Sequence, residues 1–263
     1  MGSYNYGNSS WHSWIYGYKK KEGSCLKSTN AKILNTLKGS FGSLFCLTLI
    51  FINPTYIELD KRGAVRSCNV CIEEDKRRAT IMRFNPDGSE GEIFATGLRN
   101  SVGLSWNPVT QELWATDNGR DWLGGNLPPD EVNIIKENKD YGWPYCYGDN
   151  IPEPDFHDSK ICEDTIALVV ELQAHSAPLG LTFYDGKMFP PQYQGDLFVA
   201  FHGSWNRSLP TGYKVVRIKL EDGKPVKTED FAYGWVSATN KFGRPADVLV
   251  GDKGGVIYKV TSK

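Results

Sequence analysis

GLRNSVGLSWNPVTQELWATDNG, residues Gly97 to Gly119, reads as two short β-strands joined across a turn. VGLSW (Val102 to Trp106) stops at NPVTQ, and ELWATD (Glu112 to Asp117) resumes the run of aromatic and β-branched residues, which is the pattern of a hairpin with a long loop. A polar cluster, Arg99 with Asn100, precedes the first strand, and a polar-glycine step ends the second. The same order recurs in AHSAPLGLTFY (Ala174 to Tyr184) with DLFVAFHG (Asp196 to Gly203), and it begins again in GRPADVLVG from Gly243. Hairpins repeated at a spacing of several tens of residues are what a β-propeller produces, because each blade is a small sheet that buries its faces only against its neighbours. In such a ring the turns entering the innermost strands face the central axis. Arg99, Asn100, His175 and Arg244 would then converge on one pocket; the alternative is that each satisfies its own turn.

Other segments agree with this reading. ATIMRF (Ala79 to Phe84) alternates, stops at the strong turn signal NPDG and resumes as EIFATG; LGLTFY turns at DG towards GDLFVAF; YKVVRIKL (Tyr213 to Leu220) runs into EDGKP. With 27 Gly, 14 Pro, 13% aromatic residues and only three Met, the composition favours short strands and tight turns, so the expected class is all-β. The 263 residues would make one large β domain or two ordinary ones. Thirty Lys and Arg against thirty-one Asp and Glu leave a formal charge of -1, which argues against general attraction to nucleic acid or an anionic membrane. Residues 1–66 show no clear alternation before Leu44 and are set apart from a β-domain over residues 67–263. Their KKKEG run suits a solvated turn, and Trp11, Trp14, Tyr16 and Tyr18 suit either a strand face or a ligand platform.

Six cysteines suggest an oxidising compartment. Cys68 and Cys71 form CNVC, and Cys146 and Cys162 flank a loop rich in Pro and Asp, so these four are the disulfide candidates. CNVC could instead be half of a zinc site, but no second CxxC or histidine pair at ligand spacing accompanies it. Cys25 and Cys46 are left as free thiols. The apolar run Leu44 to Ile52 lies too far along the chain for an ordinary signal peptide and is too short for a membrane span, which takes roughly 20 residues. It is expected to be a buried strand.

Between Gly97 and Asp149 the chain mixes Arg99, Asn100, Asp117, Asn118, Arg120, Asp130 and Glu131 with glycines, aromatics and a diproline, a composition suited to binding or chemistry. CNVCIEEDKRRATIMRFNPDG, ATGLRNSVGLSWNP, ELWATDNGRD, PPDEVNIIKENKDYGWPYCYGD, HSAPLGLTFY and FHGSWNRSLPTGYKVVRIKL together resemble the soluble pyrroloquinoline quinone (PQQ)-dependent sugar dehydrogenases of the glucose/sorbosone dehydrogenase family, above all its sorbosone-type branch. The likeness runs from Ser67 to Val260. It implies a six-bladed propeller, exported to the periplasm or secreted, that oxidises an aldose or aldehyde with PQQ as acceptor, Ca2+ as its companion and an external electron acceptor downstream.

The resemblance also assigns residues. Arg99 and Asn100 would lie against the cofactor, where a planar, permanently charged guanidinium suits carboxylates and carbonyls. Gly119 and Arg120 would offer main-chain oxygens to Ca2+ beside the cofactor, and Glu131 with the Tyr141 main-chain oxygen would hold a second, structural Ca2+, a hard cation that prefers oxygen ligands. A solvated acidic turn is the alternative for Asp130 and Glu131. His175 would border the quinone ring, Arg207 would sit beside the cofactor with His202 and Trp205, whose indole could stack on it, and Arg244 would make the last basic contact, braced by Asp247.

Two departures stand out. The family's His-x-x-x-Arg-like step, which carries the base that takes the sugar hydroxyl proton, has no match in residues 1–66, and His12 in SSWHSWIYGY does not resemble it. After GRPADV the chain runs directly into LVGDKGGVIYKV, as though a hairpin were missing. The expectation is a partial propeller of about four blades with no located catalytic base. Two other functions remain open: a non-catalytic ligand-binding propeller, and a Ca2+-dependent sugar lactonase, which would need acidic metal ligands converging on the channel.

Overall fold

The computed structural model describes residues 69–85, 89–156, 162–238 and 240–250, together with the backbone of the strands at 49–53 and 257–260. The described chain is all-β, with a short 3-10 turn at Pro191–Tyr193 between β11 and β12. Of residues 1–66, only the backbone of 49–53 is described; it forms a strand that overlaps the end of the Leu44 to Ile52 run.

Three four-stranded sheets form the body. The first places β1 (Leu49–Asn53), β2 (Thr80–Phe84), β3 (Glu92–Thr96) and β7 (Lys139–Asp140) side by side, the last pair parallel. The second runs β10 (Val170–Leu172), β6 (Asp130–Ile135), β5 (Leu113–Asp117) and β4 (Ser101–Trp106). The third runs β11 (Pro178–Phe183), β12 (Leu197–Phe201), β13 (Lys214–Glu221) and β14 (Lys224–Ala232). Two antiparallel pairs complete the set, β8 (Cys146–Tyr147) with β9 (Ile151–Pro152), and β15 (Asp247–Val250) with β16 (Ile257–Val260). The three hairpins expected from the turn signals, β2–β3, β4–β5 and β11–β12, pair antiparallel, and the strand expected to run into EDGKP, β13, pairs antiparallel with β14 beyond that turn.

Side-chain alternation explains how the sheets stack. On β5, Leu113 and Ala115 enter a core with Ile81, Ala95, Leu98, Ile135 and Tyr141, while Trp114 points the other way. There it meets Phe183 edge-on at 5.6 Å, in a second core shared with Leu181, Leu197 and Val199. On β12 the split repeats: Leu197, Val199 and Phe201 face that second core, and Phe198 and Ala200 face a third with Tyr184, Val215 and Val248. A strand buried on both faces belongs to a sheet covered on both sides, which is why LWATD and LFVAF are buried at every position.

The first strands of successive repeats approach closely. A Cβ on Gly103 of β4 would lie 2.2 Å from the Leu179 carbonyl oxygen, and one on Gly180 of β11 would lie 1.7 Å from the Asp247 carboxylate. Glycine is required at both contacts. The Thr116 hydroxyl ties these strands by donating to the Leu179 carbonyl at 2.8 Å while accepting from the Gly103 N–H at 2.9 Å. A register shift falls between Ser101 and Leu104 on β4 and at the equivalent place, between Pro178 and Leu181, on β11. The repeat therefore extends to its bulges, which re-aim the residues just before each strand.

Cys146 and Cys162 form the expected disulfide, closing the loop that carries β8 and β9. Cys71 is also disulfide-bonded; Cys68, Cys25 and Cys46 lie outside the described residues. A loop of this size gives about 3 kcal/mol in the chain-entropy account. Cys146→Ser with Cys162→Ser is expected to lower the unfolding free energy by about 2–4 kcal/mol in urea denaturation. An unchanged midpoint would show that the loop is held by other contacts.

Candidate functional site

Arg99 and Asn100 sit in the turn entering β4, and the β5 terminus fixes them. The Asp117 carboxylate accepts from the Arg99 N–H at 2.9 Å and from the Asn100 N–H at 2.5 Å. The Arg99 guanidinium then reaches across the loop after β5, donating to the carbonyls of Asn118 (3.1 Å), Gly119 (2.8 Å) and Asn69 (3.2 Å) and to the Asn69 side-chain oxygen (3.1 Å). Burial pulls its pKa down from the usual arginine value, opposed by the carboxylates of Asp121, Asp117 and Asp130. Asn100 keeps a buried side-chain oxygen with no partner.

The loop from Gly119 to Asn126 gathers the remaining candidates. Asn69 and Asp121 exchange two hydrogen bonds of 2.8 Å, and the Asp121 carboxylate also accepts from the Asn206 amide at 2.6 Å. His175 donates from Nε2 to the Gly124 carbonyl at 2.8 Å. Arg207 donates to the carbonyls of Gly125 and Ala174, and to the Asn126 side chain at 3.3 Å. Trp205, 63% exposed, meets Trp122, 69% exposed, edge-on at 5.4 Å. Trp122, Gly124, Gly125, Asn206, Arg207 and Ser208 line an open cavity of about 370 Å3.

Arg244 lies in the turn before β15, donating to the Gly203 carbonyl at 2.7 Å and the Tyr213 hydroxyl at 2.9 Å, with its guanidinium 4.8 Å from the Tyr213 ring centre. Gly203 in turn donates to the Ser176 carbonyl at 2.8 Å, which links Arg244 to the His175 turn. Asp247 caps the Val248 N–H at 2.8 Å, and His202 bonds the Pro245 carbonyl through Nδ1 at 3.1 Å. Among the described residues, none of Arg99, Arg207 and Arg244 is ion-paired with a carboxylate.

Beneath the loop lies a buried acidic pair. Asp117 and Glu131 stand directly opposite each other on β5 and β6. Burial raises the pKa of both; Asp117 is pushed up to about 8, with Glu131 adding repulsion and the N–H groups of Asn100 and Arg99 and the Arg99 charge holding it down. Glu131 also accepts from the Gly148 N–H at 2.7 Å and the Asn133 amide at 3.0 Å. A cavity of about 20 Å3, lined by both carboxylates together with Tyr141, Trp143, Arg120 and Glu153, has room for one water or ion. Among the described residues no three His, Cys, Asp or Glu cluster as metal ligands, so a cation here would draw on main-chain oxygens as well. Arg120 itself is paired with Glu153 and, at 2.7 Å, with Asp155.

Asp130, next along β6, braces two turns. It accepts from the Gly119 N–H at 2.9 Å and the Ala177 N–H at 3.0 Å. Burial pushes its pKa up to about 7, against the backbone N–H groups of Gly119, Ala177 and Ser176. His175 and Ala177 both adopt left-handed backbone, with φ of 62° and 52°, a conformation that costs non-glycine residues energy and persists only where the surroundings enforce it.

Sequence-expected residues thus fall into groups. Arg99, His175, Trp205 and Arg207 gather on the Gly119–Asn126 loop, Arg244 reaches the His175 turn through two hydrogen bonds by way of Gly203, and Glu131 and Tyr141 share the small cavity. The Gly119 carbonyl, expected to face Ca2+, accepts from the Arg99 guanidinium. The Trp205 ring packs on Trp122. Asn69, Trp122 and Asn206 were missed as site residues, and Asp117 and Asp130, singled out in the Gly97–Asp149 stretch, were given no role. The pairing of Asp117 with Glu131 shows only in the sheet register, and Asn69, Trp122 and Asn206 are joined across distant parts of the chain and left no signal.

The sequence model of the glucose/sorbosone dehydrogenase family matches residues 70–263. An uncharacterized protein of Borreliella burgdorferi is 38% identical over 216 residues, which are 77% of this chain and 56% of that protein. An aldose sugar dehydrogenase of Escherichia coli is 34% identical over 118 residues, 43% of this chain and 29% of that enzyme. Among solved structures, the holo form of the pyranose dehydrogenase PQQ domain from Coprinopsis cinerea superposes with a TM-score of 0.57 at 21% identity, covering 73% of this chain and 62% of that one. The chain therefore spans about half the length of the first of these relatives, and less of the second. The hairpin repeats, the arginine-bearing turns and the family match over residues 70–263 agree: the chain belongs to the glucose/sorbosone dehydrogenase family.

Proposed function

We propose that this protein is a PQQ- and Ca2+-dependent dehydrogenase that oxidises an aldose or aldehyde and passes electrons to an external acceptor. The described sheets would be blades of a six-bladed ring. The observation that carries the reading is the arginine set. In a chain of formal charge -1, Arg99, Arg207 and Arg244 are held by carbonyl, amide and hydroxyl oxygens, without an ion-paired carboxylate among the described residues. Such a hub suits a ligand that brings its own carboxylates. The unpartnered Asn100 oxygen could accept a hydrogen bond from a ligand or bind a cation. PQQ, when bound, supplies a quinone that accepts hydride from the substrate carbon; the residues of this chain would bind it, neutralise it and orient the sugar. The cavity between Asp117, Glu131 and Tyr141 fits the structural Ca2+ in donor type and size. The disulfides support an oxidising location outside the cytoplasm. No helix of the described residues is long and apolar enough to cross a membrane.

One observation favours a second reading, a propeller that binds ligand without turning it over. His175, the histidine on the candidate loop, donates its Nε2 hydrogen to the Gly124 carbonyl, which leaves Nδ1 as its one ring nitrogen able to take a proton. A lactonase reading has less support, because the described acidic residues do not form a metal cluster. Titrating the protein with PQQ and Ca2+, with binding and dye reduction followed over a panel of aldoses, separates these. Cofactor binding with reduction supports the dehydrogenase, binding alone the inert propeller, and the absence of both removes the cofactor reading.

A further inference from the structure

We infer that Trp122 and Trp205 form a carbohydrate platform that grips the ring face of a pyranose beside Arg207. The inference rests on the sugar-oxidising reading above and adds the residues that would recognise the sugar ring. Two indoles exposed by 69% and 63% would be a poor use of tryptophan on a surface without a ligand, since large aromatic rings gain most when covered. Their planes stand at 84°, so together they offer two differently oriented aromatic surfaces at one site.

The surroundings match a sugar in both of its characters. A pyranose presents C–H groups on its faces and hydroxyls at its rim. The indoles offer apolar faces to the first, and Arg207, Ser208 and Asn206 line the adjoining cavity with groups that can bond the second. At about 370 Å3 the cavity falls within the range of small-ligand sites, roughly 300–1,000 Å3. Gly124 and Gly125 border open space, since a Cβ on either would meet nothing within 4 Å.

The platform is also held in place before any ligand arrives. Asp121, next to Trp122, is locked by Asn69 and Asn206, and Asn206 is itself the neighbour of Trp205. Arg207 bonds the Gly125 carbonyl, and His175 bonds that of Gly124. The loop that carries Trp122 is therefore pinned by Asn69, Asn206, Arg207 and His175, and the Asn206 bond to Asp121 ties it to the segment that carries Trp205, which reduces the ordering cost of binding.

Ligand-observed saturation-transfer NMR tests this on the full chain with D-glucose and with 1,5-anhydro-D-glucitol, which keeps the ring but has no oxidisable anomeric carbon. Transfer to the ring C–H protons is expected for both, weaker for acyclic sorbitol. Affinity should fall about tenfold in Trp122→Ala and in Trp205→Ala. Gly125→Val, which fills the cavity without touching an indole, should weaken binding similarly, and circular dichroism confirms that each variant is folded. Absent transfer to either pyranose, equal affinity in all three variants, or sorbitol binding as tightly as the cyclic polyol would overturn the platform. Dye reduction with PQQ and Ca2+ is read separately. Pyranose binding without reduction keeps the platform and removes the dehydrogenase reading, whereas reduction with KM unchanged in Trp122→Ala does the reverse.

Discussion

Asp130→Ala is expected to cost about 2–6 kcal/mol of stability, because it strips the acceptor from the buried N–H groups of Gly119 and Ala177 at once. An unsatisfied buried backbone group typically costs about 1–3 kcal/mol. The whole stability of a domain is only about 5–15 kcal/mol, so the loss is a large share. A counter-term exists. The carboxylate is itself expensive to bury, as its pKa near 7 shows, and alanine removes that cost too. Above pH 7, where the group would be charged, the lower half of the range is therefore expected. Asp130→Asn keeps one carbonyl oxygen and should lose less. The left-handed residues His175 and Ala177 lose their brace in the alanine variant, so the turn that presents His175 should also open to faster amide exchange. Equilibrium denaturation within 1 kcal/mol of the parent, with exchange unchanged, would show that the two turns are held by other means.

Why some of this was legible and some not follows from the range of each interaction. Hairpins are local: NPDG and NPVTQ lie between the strands they join, so alternation and turn chemistry suffice to place β2 with β3 and β4 with β5. The polar turns before β4, β11 and β15 were visible as repeats, and the bulges at Ser101–Leu104 and Pro178–Leu181 show that the repetition is geometric as well as textual. Contacts that cross between repeats carry no local signature. Asn69, Asp121 and Asn206 meet over 52 and 85 positions, and a polar residue at a loop tip looks the same whether it bonds water or a partner that distant. Arg99 illustrates the limit within the site. Its position was readable, but that its guanidinium turns inward onto Asn69 and the carbonyls of Asn118 and Gly119 depends on a loop of which the resemblance spoke only through Gly119 and Arg120. Asp117 was hidden differently, as the last polar residue of a strand whose partner, β6, begins only after the diproline.

That pair gives the other large expectation, a reversal of stability order with calcium. Like charges directly opposite on neighbouring strands repel, and here both are buried, so without a cation Asp117 and Glu131 oppose folding when ionised. A Ca2+ between them would convert the repulsion into coordination and stabilise the native state by about 2.7 kcal/mol at a hundredfold excess over its dissociation constant. Glu131→Gln removes one charge and leaves the carbonyl oxygen able to accept from Gly148 or Asn133. In chelator the variant should therefore melt at or above the parent temperature. In millimolar Ca2+ the parent should rise by several degrees, at roughly 2–4 °C per kcal/mol for a domain of this size, while the variant stays where it was. Asp117→Asn should lose the same response but also weaken the caps on Arg99 and Asn100, so it should melt below the parent even in chelator. The two substitutions separate a metal site from a structural acid pair, since only a metal site makes the rank of parent and Glu131→Gln depend on calcium. A parent melting temperature indifferent to Ca2+, after metal removal has been verified by elemental analysis, would leave the pair to share a proton instead, consistent with the raised pKa of Asp117 near 8.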